Sequence, residues 1–283
     1  MIPRMGTLPL TVVAMLAFAG NSLLCRVALR DTAIDPASFT TLRLAGGALA
    51  LWAIVRWRDG PAPLAGSTGS GFALFAYAIL FSVAYVALTA ATGALLLFGA
   101  VQATMIGVGL ARGERMRPLQ WAGLACAAGG LVVLLAPGIE APAPWAAAAM
   151  IGAGVAWGIY SLRARKGEDP TAATAGNFVR AAPFAIAASA AALPWASVDA
   201  AGVGWALASG VLTSGLGYAI WYAALRGLAS TVAATVQLSV PAIAAVGGVL
   251  LLGEAPGARL AVASAAVLGG IATVVLARRP AAR

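Results

Sequence analysis

GPAPLAGSTGSGFALFAYAILFSVAYVALTAATGALLLFGAVQATMIGVGLA, residues 60–111, carries no charge at all. A helix needs about 20 apolar residues to cross a ~30 Å hydrocarbon layer, so this interval holds two spans, with a hinge expected at Thr89 to Gly93. Shorter uncharged runs lie at 5–25, 118–139, 141–162, 200–225, 227–253 and 260–277, and two further apolar stretches near 36–57 and 170–194 each hold one arginine. The total is ten spans. A mean hydropathy of +0.93, with 61 % apolar and 10 % charged residues, places the chain in the helical membrane class. The expected fold is an all-α integral membrane protein of ten transmembrane helices.

The net charge of +9 is scattered between the apolar runs rather than gathered into a patch, which speaks against nucleic acid. It sets topology instead. With the N-terminus cytoplasmic, thirteen basic residues, among them Arg56, Arg58, Arg112, Arg163 and Arg226, fall inside, and only Arg30 and Arg259 fall outside. A competing reading takes Arg4, the apolar run 8–16 and Ala17, Phe18, Ala19 as a cleaved signal peptide, which would leave nine spans and break the repeat described next. Cys25 and Cys126 both sit in spans and read as packing residues, with neither a disulfide framework nor a metal site implied.

At an offset of 140, Gly113 and Glu114 match Gly253 and Glu254, and Gly129 and Gly130 match Gly269 and Gly270. Small slips also align Ser22 with Ser161, Arg43 with Arg180 and Gln102 with Gln237. Two repeats follow, residues 1–139 and 140–283. Each has five spans, an odd number, so the second copy enters the membrane in the opposite sense and Glu114 and Glu254 fall on opposite sides. Inverted repeats around a midplane site are a transporter signature. Small residues crowd spans 5 and 10, where helix backbones approach closely, and Gly154 and Gly158 in span 6 give a GxxxG spacing read as internal packing.

Three arginines lie within spans, where a charge costs about 2.5–3.5 kcal/mol on the insertion scale unless it snorkels or finds a partner. Arg26, one turn from Arg30, is expected to reach the outer headgroups. Arg43 is near enough to Asp31 and Asp35 for pairing to compete with a ligand role. Arg180 lies roughly 15 Å of helix rise beyond Pro170, so interior carbonyls, an aqueous cavity or an anionic solute must satisfy it. Arg43, Arg180 and Pro241 are the gating or structural candidates. The amides Asn21, Gln102, Asn177 and Gln237 either tie helices together or contact a solute. At Gln237 the balance tips toward a cavity, because Pro241 offers no N–H to its carbonyl.

Aromatic residues fall in helical stripes: Trp157, Tyr160 and Ser161; Tyr218, Trp221 and Tyr222; and, more loosely, Tyr77, Phe81 and Tyr85. Trp52, Trp57, Trp145, Trp195 and Trp205 suit interfacial belts instead. Aromatic walls with a few polar tips fit a partly apolar organic solute. No histidine exists, and all nine acids map to loops or span ends, so proton coupling through an intramembrane side chain is not expected. The same lack leaves no enzyme machinery, metal site or cofactor to propose.

The pattern from Pro241 through Gly253 and Glu254 to Gly269 and Gly270 resembles the EamA-type repeat of the drug/metabolite transporter superfamily, a likeness that runs over the whole chain. Residues 94–107 with Gly113, Glu114 and Arg115 resemble the YddG-like branch of bacterial aromatic amino-acid exporters. The resemblance implies cytoplasmic termini, inverted five-helix halves in the bacterial inner membrane, and an amino acid or related metabolite as exported solute. It also implies a site walled by spans 1, 3, 4, 6, 8 and 9. That site would fall on Asn21, Tyr85, Gln102, Trp157, Tyr160, Tyr218 and Gln237. The partners expected are this small molecule and the lipid bilayer, with a monomer sufficient. The rival readings are organic-cation efflux, which the missing intramembrane carboxylate disfavours, and a non-transporting membrane receptor.

Overall fold

A computed structural model describes residues 6–60, 65–138, 141–163, 168–228, 230–255 and 257–277. Among these every regular element is helical. The helices are α1 (Thr7–Asp31), α2 (Pro36–Asp59), α3 (Thr68–Tyr85), α4 (Ala90–Ala111), α5 (Pro118–Leu135), α6 (Pro144–Leu162), α7 (Pro170–Ala191), α8 (Ala200–Leu225), α9 (Ser230–Gln237 and Ser239–Leu252) and α10 (Ala258–Leu276). Nine of them are long and apolar enough to cross a membrane. The exception is α7, diluted by Thr171, Thr174, Asn177 and Arg180.

Local chemistry fixes where the helices begin. Proline opens α2, α5, α6 and α7, where its missing N–H costs nothing. Side-chain oxygens of Asp35, Ser67, Thr89, Asp169 and Asp199 accept first-turn N–H groups of α2, α3, α4, α7 and α8. The hinge expected at Thr89 to Gly93 is therefore a turn after Tyr85 followed by a Thr89-capped start of α4. The connection from α8 to α9 begins with a turn at 226–228, and Ala229 lies outside the described residues.

Two helices carry irregularities with different visibility in the sequence. Helix α9 breaks at Leu238, three residues before Pro241, as the missing proline N–H requires. Helix α8 widens into a π turn over Ser209–Leu216. There Gly210 faces the Arg43 carbonyl oxygen and Gly215 faces Ala50 so closely that a Cβ would collide with either.

In the bundle, α1 packs on α8 and α9, and α6 packs on α3 and α4. Helix α2 pairs with α7, and α5 with α10. Small residues set the closest approaches, since a Cβ on Gly123 would lie 2.7 Å from the Gly270 carbonyl oxygen and one on Gly154 would lie 2.6 Å from that of Leu97. The GxxxG of α6 thus packs inward on α4. Trp52, Trp57, Trp145, Trp195 and Trp205 are all exposed on the outside, as expected of lipid-facing or interfacial positions.

Candidate functional site

A cavity of about 620 Å³ runs into the bundle from one end. Its mouth is framed by Arg112 and Glu114 after α4, Arg163 after α6, and Glu168 and Pro170 at the start of α7. Its floor is formed by Phe18, Asn21, Phe81 and Thr213. Glu254 accepts the backbone N–H of Ala90 at 2.9 Å at the first residue of α4, and Glu114 follows the last. The two glutamates therefore stand at opposite ends, about 33 Å of helix apart.

Trp157 is the centre of the aromatic wall. Its ring stacks on Tyr218 with centroids 5.5 Å apart at 17°, and meets Tyr77 at 4.8 Å and Tyr160 at 5.2 Å. Such pairs contribute about 0.5–1.5 kcal/mol each beyond area burial. The spacing of three and four residues on α6 and α8 turns these rings to one side, so the stripes face the cavity while the other tryptophans face outward.

Polar groups sit in two layers. Near the floor, the Asn21 amide donates to the Tyr77 hydroxyl at 3.2 Å, and its oxygen accepts from Ser209 at 2.7 Å and Thr213 at 3.2 Å. Closer to the mouth, Tyr160 donates to Thr174 at 3.4 Å and accepts from Asn177 at 3.4 Å, while Thr174 and Tyr222 are 2.9 Å apart. Asn177 also accepts the Ser67 N–H at 2.9 Å, so it ties α7 to the start of α3. Gln102 and Gln237 line the cavity and are half-buried.

Of the seven residues expected at a solute site, Asn21, Gln102, Trp157, Tyr160, Tyr218 and Gln237 line this cavity. Tyr85 lies outside it. It is fully buried past the floor, edge-on to Phe81 at 4.7 Å, with its hydroxyl on the Ala90 carbonyl. Pro241 is buried beside the α9 break and does not line the cavity. Helices α7 and α10 join the six expected to form the wall. The polar residues of α7 were the available signal. For Ser209 and Thr213, which the π turn brings beside Asn21, the sequence offered none.

Past the floor the bundle is sealed. The Arg26 Nε is 3.2 Å from Glu254 Oε1, with side chains 12 % and 8 % exposed, and its Nη1 donates to the carbonyls of Tyr85 at 2.9 Å and Val86 at 3.0 Å. Arg30 adds a bond to the Leu252 carbonyl. Arg26 thus corrects the headgroup expectation, because Gly253 in the left-handed region (φ +63°) turns Glu254 back into the bundle to meet it. Glu254 is a span-end residue as expected, yet its carboxylate is buried.

The other two intramembrane arginines part company. Arg180 donates to the carbonyls of Ala65 at 2.8 Å and Gly176 at 3.0 Å, the first of its three possible satisfiers. Side chains on a helix lean toward its N-terminus, which brings this one to the loop before α3. Arg43 pairs with neither Asp31, which binds Arg30, nor Asp35, which caps α2. It lies against the Tyr77 and Phe81 rings, 5.3 and 5.1 Å from their centroids.

Cys25 is buried and Cys126 exposed, both as free thiols. Among the described residues no three His, Cys, Asp or Glu side chains group as metal ligands. The arrangement offers an organic molecule rings, amides and hydroxyls.

Residues 144–276 match the EamA-like transporter family. The uncharacterized protein PA1977 of Pseudomonas aeruginosa is 54 % identical over 278 residues, 98 % of this chain and 97 % of that protein. A solved crystal structure at 21 % identity shares the fold with a TM-score of 0.67, over 97 % of this chain and 99 % of its own. By the match over residues 144–276 and its apolar helices, the chain belongs to the EamA-like transporter family and is a multi-pass membrane transporter.

Proposed function

We propose that the protein exports amino acids, aromatic ones included, and related metabolites from the bacterial cytoplasm across the inner membrane by alternating access. The observation that carries this reading is a cavity walled by aromatic rings and amides, open at one end and closed at the other by Arg26 and Glu254. Amide and hydroxyl groups hold the polar head of the solute, and the Trp157, Tyr160 and Tyr218 wall receives its side chain. A cavity of about 620 Å³ is of the size that takes a small organic molecule.

The architecture in this reading is ten spans in two inverted halves, 1–139 and 140–283, with both termini cytoplasmic. Three features support it. The packing of α1 on α8 and α9 corresponds to that of α6 on α3 and α4 when the halves are exchanged. The Glu114 N–H bonds to Gly109 and the Glu254 N–H to Gly248, both at 3.0 Å, after glycines of positive φ. The mouth end carries Arg58, Arg112, Arg163 and Arg226, which the positive-inside rule assigns to the cytoplasm. A monomer contains the whole cavity.

Solute movement is downhill and independent of protons, since the only carboxylates lining the cavity among the described residues, Glu114 and Glu168, stand at its mouth. Organic-cation efflux is the weaker reading for the same reason. The test is uptake and efflux of labelled phenylalanine, tryptophan and leucine by proteoliposomes of the purified protein. Counterflow is expected, unchanged by an imposed pH difference and much reduced in Gln102→Ala and Trp157→Ala at equal protein content. No flux of any of the three removes amino-acid export, and accumulation driven by a pH difference removes the uncoupled mechanism.

A further inference from the structure

Arg43 is 2 % exposed, and its Nη1 has no hydrogen-bond partner among the described residues. Every described acid is engaged elsewhere or remote. Asp31 binds Arg30, Asp35 and Asp199 cap helices, Asp59 and Asp169 bind Arg58, and Glu254 binds Arg26. Glu114 and Glu168 stand at the mouth. Arg180, its counterpart at a slip of the repeat, is satisfied by two carbonyls. Arg43 instead rests on the faces of Tyr77 and Phe81, which disperse its charge without neutralising it.

Those same two residues line the cavity floor. The cation is therefore in contact with two side chains that themselves line the space a solute occupies. The same floor holds Asn21 and Thr213, which with Tyr77 and Ser209 are bonded through the Asn21 amide. A buried arginine is stable when an anion and further hydrogen bonds accompany it, and attraction across a few ångströms of protein is far stronger than through water. Among the described residues no carboxylate is placed against Arg43.

We propose that Arg43 is the anion-recognition element of the cavity: a carboxylate of the transported solute lies at the Asn21, Tyr77 and Thr213 floor and compensates the Arg43 charge. This rests on the cavity being a solute site, and not on the solute being an amino acid. The anion completes an arrangement that is electrostatically incomplete when empty, so solutes lacking a negative group are discriminated against.

The test is thermal unfolding of the purified full-length protein in detergent micelles with 3-phenylpropionate, 3-phenylpropionamide or sodium chloride as probe, for wild type, Arg43→Met and Arg43→Lys. Wild type is expected to bind the carboxylate at least tenfold more tightly than the amide, Arg43→Lys to keep part of that preference, and Arg43→Met to bind both within twofold. Arg43→Met is also expected to fold with a melting temperature no lower than that of the empty wild type, because an uncompensated charge has been removed. A large loss of melting temperature in Arg43→Met, equal binding of acid and amide by wild type, or a chloride shift equal to that of the carboxylate would each overturn the proposal. Failure of amino-acid flux with the carboxylate preference intact would instead strike only the choice of amino acid.

Discussion

The two ends of the bundle carry related turns, closed over five residues at Glu114 and six at Glu254, in opposite circumstances. Glu254 and Glu114 each follow a glycine of positive φ and bond back to a helix glycine, Gly248 and Gly109, at the same 3.0 Å. At one end the glutamate is buried against Arg26 and holds α1, α3, α4 and α9 together. At the other it is exposed beside an open cavity. One Gly-Glu pair thus stands at a closed end and the other at an open one, and what separates them is the burial of the glutamate. Under the alternating access proposed above, the two ends exchange these roles in a second state.

The largest effect expected from breaking the comparison is at the latch. Glu254→Gln leaves Arg26 buried without its counter-charge, a change that costs about 3 kcal/mol for pairs of this burial. The melting temperature should drop by several degrees, and a cysteine at Ser22 should become reactive from the sealed end. Exchanging the charges, Arg26→Glu with Glu254→Arg, should recover part of the loss. Equal behaviour of Glu114→Gln would mean the two ends do not differ as described.

Trp157→Ala removes contacts to Tyr77, Tyr160 and Tyr218. The wall faces an open cavity, so about 1–2 kcal/mol of stability is expected to go, with flux falling at least tenfold at unchanged membrane abundance. Trp157→Phe should retain most of both.

Two glycines sharpen the comparison further. A Cβ on Gly248 would lie 2.6 Å from Glu254 Oε2, and one on Gly109 lies 2.7 Å from Glu114 Oε2. The collisions are alike, but Glu114 is exposed to solvent whereas Glu254 is buried against Arg26. Gly248→Ala should therefore cost about 1 kcal/mol despite the better helix propensity of alanine, whereas Gly109→Ala should be within about 0.5 kcal/mol of neutral. Paired thermal denaturation curves check this.

The smallest effect concerns pH at the mouth. Partial burial of Asp169 would raise its carboxyl, but hydrogen bonds from Arg58 and the Ala172 N–H outweigh this and hold it below the usual carboxylate range. A group depressed on folding stabilises above its unfolded value near 4 and loses that contribution as pH falls through its folded value. For a largely exposed pair the amount is under about 1 kcal/mol. Asp169→Asn should lower the melting temperature slightly at pH 7 and flatten its decline below pH 4.

Much of this was legible in the residues because the bilayer imposes coarse rules. Span length, the inward turn of the 157–161 and 218–222 stripes and the break before Pro241 follow from helix period, hydropathy and a missing N–H. What the sequence hid depends on contacts between distant segments. Arg26 looked like a headgroup anchor because Glu254 is 228 positions away. Tyr85 shares a stripe with Tyr77, but two helix turns carry it past the floor into the sealed end. The π turn that lets Ser209 and Thr213 reach Asn21 leaves no mark in composition.

The exchange of ends is tested most directly by electron-spin distance measurements on the protein in lipid nanodiscs, with Cys25 and Cys126 replaced. One label pair spans the mouth at Arg112 and Pro170, the other the sealed end at Ala87 and Ala255. On going from wild type to Glu254→Gln, a longer distance at the sealed end and a shorter one at the mouth are expected to grow together in equal proportion. A sealed end that opens while the mouth keeps its width would describe a channel, and would contradict alternating access.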